Sequence, residues 1–269
     1  MPGVTTRVSM SNPRQFAVLQ KELRSPSADQ LKRAFRSFSN LTDADAVRLA
    51  VGAHGILMRH ESHDAARAFQ QALQAEGVPA ALVSEDNLPQ LPEPKMLNRL
   101  ELSSAGLGVF DVLGRPTLIP WPEVSLLAAG AVGDIEVNRT RTERTELRFS
   151  PVFGVWPKQV TESRRKVNSD SHLLLEMLVG DGAIRYQIEA ARFPFKLLLD
   201  RPELSTTEKF IWLVRELCAN ATSATLNGGV RWLRAGHNRV PGYVNRQALT
   251  DEIIWLLWFE QTRPRSAKA

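Results

Sequence analysis

The residues best equipped for chemistry are few and scattered. His54, His60 and His63 stand near Glu61 and Asp64, the side chains that would hold a divalent cation or relay a proton. A predicted strand, Ile56–Arg59, separates the first histidine from the other two. The His-Glu-x-x-His spacing that would place two imidazoles on one helical face does not occur. These histidines are therefore assigned to the ends of a strand, without a metal. Cys218 is the one cysteine, so no intramolecular disulfide is available, and no histidine lies near it to act as a base. Its apolar neighbours predict a buried thiol. The carboxylate pairs Asp43/Asp45 and Glu85/Asp86 fall at predicted caps and loop starts, where acids are expected for structural reasons. The sequence has no glycine-rich phosphate loop and no Gly-x-Ser-x-Gly elbow. This is the pattern of a protein that is not an enzyme, with no catalytic residue, no metal and no cofactor. An enzyme without a recognisable motif is the alternative that remains.

Guanidinium groups are the more abundant chemistry. The chain has 34 Lys+Arg against 29 Asp+Glu, a net charge of +5, which permits an acidic partner without demanding one. Between Arg139 and Lys166 the basic residues number eight and the acidic three. Arg139, Arg141, Arg144 and Arg148 lie close to Glu143 and Glu146, whereas Arg164, Arg165 and Lys166 have only Glu162 nearby. An arginine can grip a phosphate or carboxylate with two parallel hydrogen bonds. The triplet Arg164, Arg165 and Lys166 is therefore the leading partner-binding candidate. Arg33 and Arg36, on one side of a predicted helix, are the second.

The elements that must carry these groups are mixed. Residues 1–14 read as a flexible arm. Phe16–Leu19, Ile56–Met58 and Ala80–Val83 read as strands. Two helices lie between the first two strands, one around Leu31, Ala34 and Phe35 and a short one capped by Thr42. A third runs from Ser62 to Glu76 and is closed by Gly77. The Pro-rich stretch within 87–97 reads as a linker with few apolar anchors, and residues 15–88 are expected to fold alone. Leu100 and Leu102 open a new strand. Leu107 and Val109 lie in the next one, Gly114 closes a hairpin, and Trp121 anchors a corner before Val124 resumes the sheet. Residues 134–171 read as a long basic loop or hairpin. His172–Val179 and Ile184–Ile188 are strands about the turn Gly180-Asp181-Gly182, and Ser205 or Thr206 starts a helix ending at Ala221. Val230–Leu233 is read as a short strand. A last helix is expected to begin at Thr250, too short to span a bilayer, followed by a basic tail.

Two resemblances follow from these residues. Phe16-Ala17-Val18-Leu19, Lys32-Arg33-Ala34-Phe35-Arg36, Asp45-Ala46-Val47-Arg48-Leu49 and the run from Ala65 through Gly77 to Ala80 resemble the C-terminal domain of the bacterial ribosomal stalk protein. That fold is shared with the Clp protease adaptor. The chain has Ser39-Asn40-Leu41 where the stalk domain has a Gly-Leu-Gly turn, and Thr42 and Asp45 about where it has lysines. The resemblance implies the fold and a protein-docking role. Gly106-Leu107-Gly108-Val109-Phe110 followed by Ile119-Pro120-Trp121-Pro122-Glu123-Val124 resembles bacterial pleckstrin-homology-like domains, which bind head groups, peptides or proteins.

The sequence-level expectation is an α+β protein. A ribosomal-stalk-like sandwich at 15–86 and a linker at 87–97 precede a pleckstrin-homology-like β-barrel with closing helix at 98–224. That barrel carries the basic insertion 134–171, and a C-terminal extension with a helix occupies 225–269. The expected role is a non-catalytic protein-interaction or adaptor protein of a bacterial cytoplasm, without integral membrane insertion. A nucleic-acid or anionic-surface binder acting through the insertion is the alternative.

Overall fold

The computed structural model describes residues 14–24, 26–38, 54–111, 113–150, 154–198 and 201–263, with the backbone alone at 38 and within 134–170. Among the described residues the protein is mixed α and β, built on three sheets. The expected arm at 1–14, apart from Arg14, and the short helix after Thr42 lie outside the described residues, as does the tail beyond Arg263.

The first sheet has the order β2-β1-β3 and is antiparallel, from β1 (Phe16–Gln20), β2 (Ile56–Glu61) and β3 (Ala80–Ser84). Helices α1 (Ala28–Phe38) and α2 (His63–Ala75) cover one face. The Ser62 hydroxyl caps α2 by accepting from the Ala65 N–H, and Gly77 takes a positive φ of 71° beyond its end. Alternation along β1 sends Val18 toward Phe35, Phe69 and Leu73 under the helices, and Ala17 and Leu19 to the opposite face. That opposite face is also buried, which is why four consecutive apolar residues are tolerated there.

The central sheet supplies the cover. Its order is β11-β8-β9-β10-β4, from β4 (Lys95–Met96), β8 (Val124–Ser150), β9 (Gly154–Val179), β10 (Ile184–Glu189) and β11 (Thr225–Leu226), with β12 (Gly242–Tyr243) also pairing β8. A third sheet, β5 (Leu100–Leu102), β6 (Gly106–Phe110) and β7 (Pro116–Pro120), pairs in that order. It packs on one face of the central sheet with α3 (Thr206–Asn220) and α4 (Gly228–Arg234). The last helix, α5 (Arg246–Thr262), lies on the other face, and its residues Leu249, Ile253, Trp255 and Leu256 join Leu126, Ala128 and Leu174 to Ala17, Leu19 and Ile56 of the first sheet. Helix α5 is thus the filling between two sheets. Among the described residues no helix is long and apolar enough to cross a membrane.

Several expectations change. No sheet closes into a barrel among the described residues; the middle strands divide between two sheets. Val230–Leu233 is helical, within α4, because Asn227 caps it and accepts from the Val230 N–H at 2.9 Å. Helix α5 begins at Arg246 rather than Thr250, capped by Asn245. The stretch after β3 is better anchored than its prolines imply: Leu88 is buried and Leu91 partly buried beside α5. The first sheet shares a core with α5, so a fragment 15–88 would expose Ala17, Leu19 and Ile56. The hairpin reading of 106–120 holds, with Gly114 at a φ of 76° and Asp111 accepting from the Leu113 and Arg115 N–H groups. Trp121 is buried, its indole N–H donating to the Ser103 carbonyl at 2.9 Å.

Candidate functional site

The basic insertion is a two-stranded arm. Beyond Gly133 and Ser171, strands β8 and β9 continue in register from the pair Asp134–Asp170 to the pair Ser150–Gly154. At about 3.4 Å per residue this ribbon runs on the order of 50 Å. Among the described residues the neighbouring strands pair with the inner parts of β8 and β9, up to Val132 on one and Leu174 on the other. In the arm the two strands therefore have one another as ladder partners. Arg164, Arg165 and Lys166 stand in β9 opposite Thr140, Arg139 and Asn138. Arg139 and Arg165 are thus like charges at directly opposed register positions, a placement unfavourable in a ribbon.

Arg33 and Arg36 lie one turn apart on α1, both exposed. Arg33 Nε is 2.6 Å from Glu76 Oε2, so its charge is shared with the end of α2. The structure keeps this pair and the arm triplet on separate elements, α1 packing on α2 while the arm strands pair with each other.

The histidines face different partners. His60, at a φ of 60°, lies near Gln15 and Glu85, and His63 Nδ1 is 3.3 Å from Asp64. His54 turns inward, its ring 4.7 Å from that of Tyr243, and its Nε2 is buried with no hydrogen-bond partner among the described residues. Cys218 is buried on α3.

Beside His54 lies a polar hub that the sequence reading missed. Glu252 of α5 is buried and accepts from the Gly228 N–H at 2.8 Å, from Asn227 Nδ2 at 3.2 Å and from the Tyr243 hydroxyl. The Asn227 amide also pairs with the backbone of Ala129, accepting at 3.0 Å and donating at 3.1 Å. Burial pushes the Tyr243 hydroxyl pKa far up, and the Glu252 charge adds to this. Burial lowers the His54 pKa, and the Glu252 charge acts against it without cancelling it. Tyrosine, carboxylate and imidazole together are acid–base chemistry, but the Glu252 oxygens are spent on holding α5 to α4 and β12. A cleft of about 520 Å³ lies elsewhere, lined by Lys95, Leu97, Phe110 and Tyr186. The one sequence signal for the hub was Glu252 itself, an acid inside an apolar helix.

A second missed feature joins the first sheet to α5. Arg59 reaches Glu85 at 2.6 Å and Asp251 at 2.6 Å. A third is the bidentate pair Arg185–Glu176, at 2.6 and 2.9 Å, buried across β9 and β10. Comparison with protein-family models, with curated proteins and with solved structures finds no match for this chain.

Proposed function

We propose that this protein is a non-catalytic adaptor of a bacterial cytoplasm that docks an acidic protein partner along its two-stranded arm. The observation carrying this reading is the arm itself, a ribbon that continues far past its sheet with Arg164, Arg165 and Lys166 in one strand. A two-stranded ribbon is marginal alone in water, and a partner that neutralises its cations and pairs with its free edges supplies what it lacks. The outer face of α1, with Arg33 and Arg36, is the second docking surface. The order β1-α1-β2-α2-β3, with helices on one face, supports the stalk-like, Clp-adaptor-like reading of 15–86. Two packed sheets followed by α3 support kinship of 98–224 with pleckstrin-homology-like domains, in an open form.

The test compares partner recovery from native lysate by the full chain and by the combined variant Arg164→Ala, Arg165→Ala, Lys166→Ala. Loss of a specific acidic protein with an unchanged unfolding midpoint is the expected result. Undiminished recovery would move the docking function to Arg33 and Arg36. Loss of salt-dependent retention of nucleic acid in the triple variant, with no protein lost, would favour the anionic-surface alternative.

A further inference from the structure

We infer that the segment from α4 to Val240 is a platform for single-stranded nucleic acid, separate from the arm. Between Glu216 and Asp251 the sequence contains no aspartate and no glutamate, and the segment carries Arg231, Arg234 and Arg239. Among the described residues none of these three forms an ion pair. Several arginines elsewhere are held by carboxylates, as in Arg33–Glu76, Arg99–Glu101 and Arg115–Asp111. Arg234 and Arg239, both exposed, are therefore available to an outside anion, whereas Arg231 is half-buried and acts on Tyr243.

An aromatic surface stands among them. Trp232 is 46% exposed although it belongs to a helix whose Val230 and Leu233 are fully buried. The His237 ring stacks on it with centroids 3.5 Å apart and planes 14° from parallel. One face of the indole is thus covered by imidazole, and both rings belong to exposed residues. Arg234, His237 and Arg239 are exposed beside it in the chain.

The platform is built in advance. Arg215 of α3 donates to the Leu233 carbonyl at 3.0 Å, to the His237 carbonyl at 3.0 Å and to Asn238 Oδ1 at 3.1 Å. A guanidinium spent on carbonyl oxygens fixes the loop without adding a counter-charge. Gly236 makes the turn at a φ of 96°, and Val240 returns the chain to the core. A rigid site has little ordering entropy to lose on binding.

The chemistry selects the ligand. Bases stack on an exposed aromatic whatever their identity, while arginines track the phosphates. A helix of seven residues is short for reading a duplex groove. Trp232 is also the segment's single exposed large hydrophobic residue, too little to anchor a bilayer.

The experiment is fluorescence anisotropy of a labelled twenty-nucleotide oligothymidylate titrated with the full chain over a range of salt. The wild type is expected to bind with affinity that falls as salt rises. Trp232→Ala should weaken binding at least about fivefold, with Trp232→Phe recovering most of it. Arg234→Ala with Arg239→Ala should reduce the log–log salt slope by about 1.4. All these side chains are exposed, so unfolding midpoints should stay put. The arm triple variant should keep the Trp232 dependence, so loss of either reading leaves the other standing. Absence of wild-type binding, binding indifferent to Trp232 and the two arginines, or equal competition by polyglutamate would overturn the proposal; the last would make this a surface for acidic peptides.

Discussion

Glu85 and His54 show how single residues set the acid limit of this fold. Burial opposes ionisation of Glu85, but hydrogen bonds from Arg59 and from the His60 N–H outweigh it and hold the carboxyl below its usual value of 4.5. The folded state then binds fewer protons than the unfolded chain. Its contribution is present above the ordinary carboxylate pKa and lost as pH falls through the depressed one. The same sign applies to His54, whose pKa burial lowers from 6.5, so its loss begins earlier on acidification. Denaturant midpoints measured against pH should fall in two stages, one starting near the imidazole range and one near the carboxylate range. His54→Phe should flatten the first and Glu85→Gln the second. A midpoint that stays level from pH 7 to 5 in the wild type would contradict the buried placement of His54.

Corners and caps matter most among the elements. Trp121 turns the chain from β7 into β8 and fills the space between two sheets, with its N–H satisfied by Ser103. Trp121→Ala should cost about 3–5 kcal/mol in denaturant unfolding, the range for emptying a large aromatic site. A change under about 0.5 kcal/mol would place the indole outside the core. The start of α4 presses on β8 so closely that a Cβ at Gly229 would lie 1.8 Å from the Ala129 carbonyl oxygen. That contact explains the glycine at 229, behind the Asn227 cap, despite its low helix propensity.

For the whole molecule, α5 decides cooperativity. It shares cores with the first and central sheets, receives Arg59 at Asp251, and donates the Trp255 indole N–H to the Gln20 carbonyl at 2.7 Å. Removing residues 245–269 should therefore lower the thermal midpoint of both sheets together, and a fragment 15–88 should aggregate unless α5 is restored. Independent two-state melting of that fragment at the full chain's midpoint would show that the shared core adds nothing.

What the sequence determined by itself was local. Ser62 and Gly77 bracket α2, Gly114 and Gly180 mark hairpins, and the apolar run Phe16–Leu19 announces a strand. Each is written in neighbouring residues, because periods, caps and positive φ angles depend on the adjoining chain. The same locality misled at Val230–Leu233, where a strand-like run is helical because Asn227 caps it against β8. Tertiary structure alone decided what covers the second face of β1, why Glu252 is buried, and that Arg215 braces the loop under Trp232. Those outcomes join residues far apart in the chain. Many apolar faces and several carboxylates could satisfy one another equally well on pattern, so the choice rests on which surfaces pack without voids or unpaired polar groups.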